Sequence, residues 1–197
     1  MRTISKLMGC ALSLLLLPAA AQGASIFTSV LTGPGEAPPN ASPGICFATV
    51  TLDPVLHKLT LDVTFSGLIG VTTASHIHAS TVSPFAGTAI VATTTPNFPG
   101  FPLSVSSGSY LQTFDMTLTS SYNPAFLTAN ANSVSVAETA LFNAIASGNA
   151  YLNIHSNTFP SGEIRGFFTP AVPLPPAALS GGLTLGSLVL LKLRRRA

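Results

Sequence analysis

Residues 148–166 read Gly148-Asn149-Ala150-Tyr151-Leu152-Asn153-Ile154-His155-Ser156-Asn157-Thr158-Phe159-Pro160-Ser161-Gly162-Glu163-Ile164-Arg165-Gly166. Tyr151, Asn153 and His155 alternate with Leu152 and Ile154, the period-two pattern of a strand with one polar and one apolar face. Pro160-Ser161-Gly162 can reverse the chain. Glu163, Arg165 and Phe167 then alternate with Ile164, Gly166 and Phe168 on a returning strand. The stretch predicts a closing β-hairpin, and its polar positions gather a His, a Glu and an Arg.

Working outward, Ser25–Thr32, Ile45–Leu52, Lys58–Phe65, Thr72–His78, Gly87–Thr94 and Ser109–Leu118 read as further strands. The alternation is cleanest in Lys58–Phe65, where Leu59, Leu61, Val63 and Phe65 point inward. Gly33 to Asn40 holds three prolines and two glycines and cannot continue a strand. One convincing helix is predicted over Ser135–Ala146, with a capping box from Ser135 and Glu138 and Gly148 as its stop. A short helical turn near Pro124–Asn130 is the only other. The expected fold is all-β, an antiparallel sandwich or barrel of seven or eight strands with one short helix.

Both ends read as addresses. Residues 1–23 form a signal peptide: a basic start, an apolar run from Leu7 to Leu17, and small residues for cleavage near Ala21 or Gly23. At the other end an apolar stretch leads into Lys192, Arg194, Arg195 and Arg196. It is long enough for a transmembrane helix over about 177–193. These ends supply most of the basic residues. The body keeps Lys58 and Arg165 against six acids, a balance of −4, so the net charge of +2 for the whole chain does not indicate nucleic-acid binding. About 145 residues remain, enough for one domain with its own core. Cys46 is the only cysteine left after cleavage, which excludes an internal disulfide. It shares a strand face with Ala48, Val50 and Leu52 and reads as a buried thiol, with an intermolecular bridge as the alternative.

The body resembles the CHRD domain, named for chordin. The resemblance lies in Leu31-Thr32-Gly33, Glu36-Ala37-Pro38-Pro39, Gly67-Leu68, His76-Ile77-His78, Gly87 and the 148–166 block, in that order. It implies an immunoglobulin-like or superoxide-dismutase-like β domain over 25–169 and no established activity. Residues 170–197 resemble a PEP-CTERM sorting signal, with Val172-Pro173-Leu174-Pro175 as the motif before the apolar segment and basic end. That resemblance implies a Gram-negative bacterium, export across the inner membrane, transient membrane anchoring, and processing by an exosortase membrane protease. Delivery to the cell surface or extracellular matrix would follow.

Three histidines carry the strongest chemistry. His76 and His78 sit two apart on one strand face, and His155 lies on a second strand. Imidazoles so placed suit copper or zinc, and His-x-His on a strand resembles the copper-zinc superoxide dismutases. Glu163 would add a ligand or accept a hydrogen bond that orients a ring. The plainer alternative is that these rings, with Asn153 and Tyr151, bond to loop backbone in a packed end of the fold. Glu163 and Arg165 share a face, which suggests an ion pair, or Arg165 on loop carbonyls; the functional alternative is recognition of a sugar acid. His57, in a turn beside Lys58, reads as solvated. No nucleophilic triad or phosphate-cradling loop is present in the sequence. The leading expectation is a non-enzymatic surface or matrix protein without a cofactor, whose partners are extracellular polysaccharide or other surface proteins. The runner-up is a copper- or zinc-binding domain built on His76, His78 and His155. A glycan-degrading enzyme dependent on Glu163 is the third.

Overall fold

The longest antiparallel pairing joins the residues with the cleanest alternation. In the structure, a computed structural model that describes residues 23–171, strand β2 (Ile45–Asp53) runs back through a turn at residues 54–57 into β3 (Lys58–Ser66). Leu59, Leu61, Val63 and Phe65 face inward beside Cys46, Ala48, Val50 and Leu52, as the period-two pattern requires. The other strands are β1 (Ser25–Thr32), β4 (Thr72–His78), β5 (Gly108–Asp115), β6 (Tyr151–Ser156), β7 (Ile164–Phe167) and β8 (Thr169–Pro170). They form one eight-stranded sheet in the order β4-β6-β7-β1-β2-β3-β5, with β8 also on β1. All pairings are antiparallel. The sheet curls into a half-barrel. Ile77, Leu152, Ile154 and Ile164 join the core from its other end.

Two helices follow β5: α1 (Pro124–Ala129) and α2 (Val134–Ala146), which buries Leu141, Phe142, Ala144 and Ile145. The short helical turn near Pro124 is thus a helix in its own right, capped by Asn123 accepting from the Ala125 amide at 3.0 Å. Gly148, at φ +74°, lies just past the α2 cap, where the sequence placed the stop. The N-terminus of α2 differs from expectation. Its cap is Ser133, which accepts from the Val136 amide at 3.4 Å. Glu138 turns instead to His57, whose Nδ1 lies 2.9 Å from a carboxylate oxygen. His57 is therefore a half-exposed partner of Glu138 and not a free solvated ring.

Two predicted strands are shorter or absent. Residues 87–94 make only isolated bridges, His78 to Val91 and Thr93 to Tyr122. Left-handed backbone at Phe85 (φ 57°) and Gly87 (φ 82°) leads this segment over the edge of β4 as a loop. The Ser109–Leu118 strand ends at Asp115, whose carboxylate takes the Thr117 amide at 3.0 Å and starts a turn. Cys46 is fully buried, and burial pushes its thiol up to about 12. That position leaves no route to an intermolecular bridge. A maleimide added to the native chain is expected to leave the Cys46 peptide unmodified, and to label it fully in denaturant; native labelling, located by mass spectrometry, would refute this.

The ends of the domain meet. Phe27 pairs with Pro170 and Thr28 with Thr169, and the Ala171 amide donates to the Ile26 carbonyl at 2.9 Å. Residues 1–22 of the expected signal peptide lie outside the described residues. So do Val172, Pro173, Leu174, Pro175, the expected transmembrane helix, and Arg194, Arg195 and Arg196. Among the described residues no helix is long and apolar enough to cross a membrane.

Candidate metal centre

Strand register assembles the site. β4 and β6 are antiparallel neighbours, with His76 opposite Asn153, His78 opposite Tyr151 and Ala74 opposite His155. On the far side of β6, Asn153 faces Arg165 and Tyr151 faces Phe167. Residues directly opposite place their Cβ atoms about 4.5–5.5 Å apart on one face. His76, His78, Tyr151, Asn153, His155 and Arg165 therefore share one side of the sheet. Ile77, Leu152, Ile154 and Ile164 bury the other side in the core.

The three imidazoles converge. One ring nitrogen from each of His76, His78 and His155 lies within 4.8 Å of the other two. Loops pin one nitrogen of each ring: His76 Nε2 on the Pro96 carbonyl, His78 Nδ1 on that of Ala89 at 2.9 Å, and His155 Nδ1 on that of Pro160 at 2.8 Å. A carbonyl only accepts, so these three nitrogens carry the protons. His76 Nδ1, His78 Nε2 and His155 Nε2 are left as bare lone pairs, buried and without any partner. Burial pushes all three rings below the usual histidine value, His78 to about 4, so they are neutral at physiological pH. Metal-binding histidines characteristically donate the second ring N–H to a carbonyl or carboxylate in this way, which fixes tautomer and orientation.

The donor set fits zinc or copper. Zn–N bonds of about 2.0–2.1 Å place ligand nitrogens about 3.4 Å apart, so the rings need to close by about 1.4 Å at most. Three buried ring nitrogens with no donor are unfavourable, and a cation relieves them.

Glu163 stands apart from the rings. It is fully buried, and its carboxylate accepts from Ser42 Oγ at 2.7 Å and from the amides of Ile69 and Gly70 at 2.5 and 3.2 Å. Burial alone would raise its carboxyl; hydrogen bonds from Ser156, Ser42 and the two amides outweigh that and hold it below the ordinary glutamate value. It therefore ties the closing hairpin to the 67–70 loop and orients no histidine. Arg165 makes no ion pair with it. Arg165 Nε donates to the Gly35 carbonyl at 2.9 Å and Nη1 to that of Gly87 at 3.1 Å, while its guanidinium lies 4.6 Å from the Tyr151 ring centroid. The loop-carbonyl reading of Arg165 is the one the structure shows.

Tyr151 was expected beside the rings, but its stacking was not read from the sequence, nor was the part of Glu36. Tyr151 stacks on His78, with centroids 4.7 Å apart and planes at 8°. Glu36 is buried beside Asn153, whose Nδ2 donates to Glu36 Oε1 at 2.8 Å. Burial pushes the Glu36 carboxyl up to about 7 against the opposing pull of Arg165, the Ala37 amide and Asn153. Gly162 makes this approach feasible: at φ +133°, a Cβ there would lie 2.5 Å from Asn153 Nδ2 and 2.6 Å from Glu36 Oε1. The Glu36-Ala37-Pro38-Pro39 block, set beside Gly162, was the available signal.

Fold and site together define an antiparallel β domain with three histidines held between a sheet face and its loops. Residues 27–168 match the family model of the CHRD domain, and the chain belongs to that family. No curated protein matches the chain, and no solved structure does.

Proposed function

We propose that this is an exported CHRD-domain protein that acts without catalysis, and that its β domain binds one zinc or copper ion through His76, His78 and His155. CHRD membership is consistent with a binding or structural role. The observation that carries the metal reading is the set of three buried, partnerless ring nitrogens, each on a ring whose other nitrogen is held by a loop carbonyl. The test is metal analysis of the purified chain after exposure to zinc or copper and desalting. One equivalent is expected, falling to a trace in His78→Ala and His155→Ala; a wild-type chain that retains none would end the metal reading.

The address is the second part of the proposal. The apolar start, the Val172-Pro173-Leu174-Pro175 motif and the basic end support transport across the inner membrane, exosortase processing and release to the surface or matrix. Removing residues 172–197 is expected to redistribute the protein from the cell-surface fraction to the medium or periplasm. An unchanged distribution would refute the sorting assignment.

A further inference from the structure

We infer that Asn153 Oδ1 is the fourth donor of the histidine cluster and closes it, so that an ion held there is enclosed and inaccessible to outside ligands, an inference that rests on the metal reading above. Among the described residues, five buried side-chain polar atoms lack a partner. Four of them are His76 Nδ1, His78 Nε2, His155 Nε2 and Asn153 Oδ1; the fifth, Ser29 Oγ, lies on β1. The four are neighbours by register. Asn153 sits directly opposite His76 and two residues before His155, on the same face of β6.

The amide is also aimed. Its Nδ2 donates to Glu36 Oε1 at 2.8 Å, and the buried glutamate is itself held by the Ala37 amide. With the nitrogen committed to Glu36, the oxygen is turned away from it and left without a donor. The result is four buried acceptors, three imine nitrogens and one amide oxygen, gathered on one face with no hydrogen-bond donor supplied to any of them. A cation is the species that satisfies all four at once. Three nitrogens and one oxygen match the four-coordinate count of closed, structural zinc sites, whereas catalytic sites keep a position free for water. An ion so enclosed fastens β4 and β6 to the loops carrying Ala89, Pro96 and Pro160. It presents no metal-bound water to a substrate, which agrees with a role without catalysis.

Cobalt(II) loaded into the full chain provides the test, because its visible bands report coordination number and respond to azide. The wild type is expected to give intense four-coordinate bands that azide does not alter. In Asn153→Ala, cobalt should still bind through the three histidines, roughly ten- to hundredfold more weakly, with bands that shift on azide addition. Asn153→Asp should restore intense, azide-insensitive bands, which a merely structural role for the amide would not predict. Azide-sensitive bands in the wild type overturn the closure, and so does an Asn153→Ala spectrum identical to wild type. Failure of the wild type to take up cobalt, zinc or copper overturns the metal reading itself. Should Asn153→Ala fail to fold, the wild-type azide titration and the Asn153→Asp spectrum still decide the question.

Discussion

Replacing Glu163 by alanine is expected to destabilise the domain by about 3–5 kcal/mol, because it takes a buried carboxylate away from the neutral donors that hold it. The carboxylate is fully buried and takes hydrogen bonds from Ser42 Oγ and from the Ile69 and Gly70 amides. Truncation leaves these donors facing a cavity, and each buried donor without a partner costs about 1–3 kcal/mol. Domains hold only about 5–15 kcal/mol in total, so the variant is expected to be marginal at 37 °C. Urea denaturation followed by circular dichroism measures the loss, and a change below about 1 kcal/mol would contradict the role given to this residue.

Acid adds a second readout. The folded Glu163 carboxyl lies below its ordinary 4.5, so the native state binds fewer protons than the unfolded state in that range. Its contribution is fully present above pH 4.5 and is lost as pH falls through the folded value. Glu36 has the opposite sign. Its carboxyl is pushed up to about 7, so its contribution is present below pH 4.5 and lost as pH rises through 7. The two windows do not overlap. The difference between wild type and Glu163→Gln below pH 4.5 therefore isolates Glu163: the wild type should lose stability there more steeply than the variant.

The second large effect is metal-dependent stability. An ion that binds only the folded chain, at a hundred times its dissociation constant, adds about 2.7 kcal/mol. For a domain of this size that raises Tm by about 5–10 °C. Calorimetry with and without zinc should show the rise in the wild type and none in His78→Ala or His155→Ala. A shift of equal size in all three would mean that zinc binds elsewhere.

The sequence carried the parts of this architecture that depend on residue type at short range. Leu59, Leu61, Val63 and Phe65 announce their strand because burial on one face needs apolar side chains every second residue. His76 and His78 announce a shared face for the same reason, and the hairpin at 148–166 brings His155 to the next strand. What was not legible depends on backbone groups far away in the chain. The amides that hold Glu163 are 94 and 93 residues distant, and an amide donor leaves no mark in residue identity. The same holds for the carbonyls of Ala89, Pro96 and Pro160 that set the histidine tautomers. Residues 87–94 alternate like a strand, yet left-handed backbone at Phe85 and Gly87 makes them a covering loop. The helix is capped at Ser133 and not Ser135, and Glu138, needed for the expected capping box, pairs with His57 far away in the chain.

The pairing of β8 with β1 has a mechanical consequence. The chain enters the sheet near Ile26 and leaves it at Ala171, two residues joined by a backbone hydrogen bond of 2.9 Å. Tension applied between the two ends acts at one corner of the domain. It would peel Ala171 from Ile26 and then Thr169 from Thr28, one bond at a time, before any load reached β2, β3 or the histidine-bearing strands. The corner works as a zipper pull, and the domain can hang from it with its sealed face unstressed.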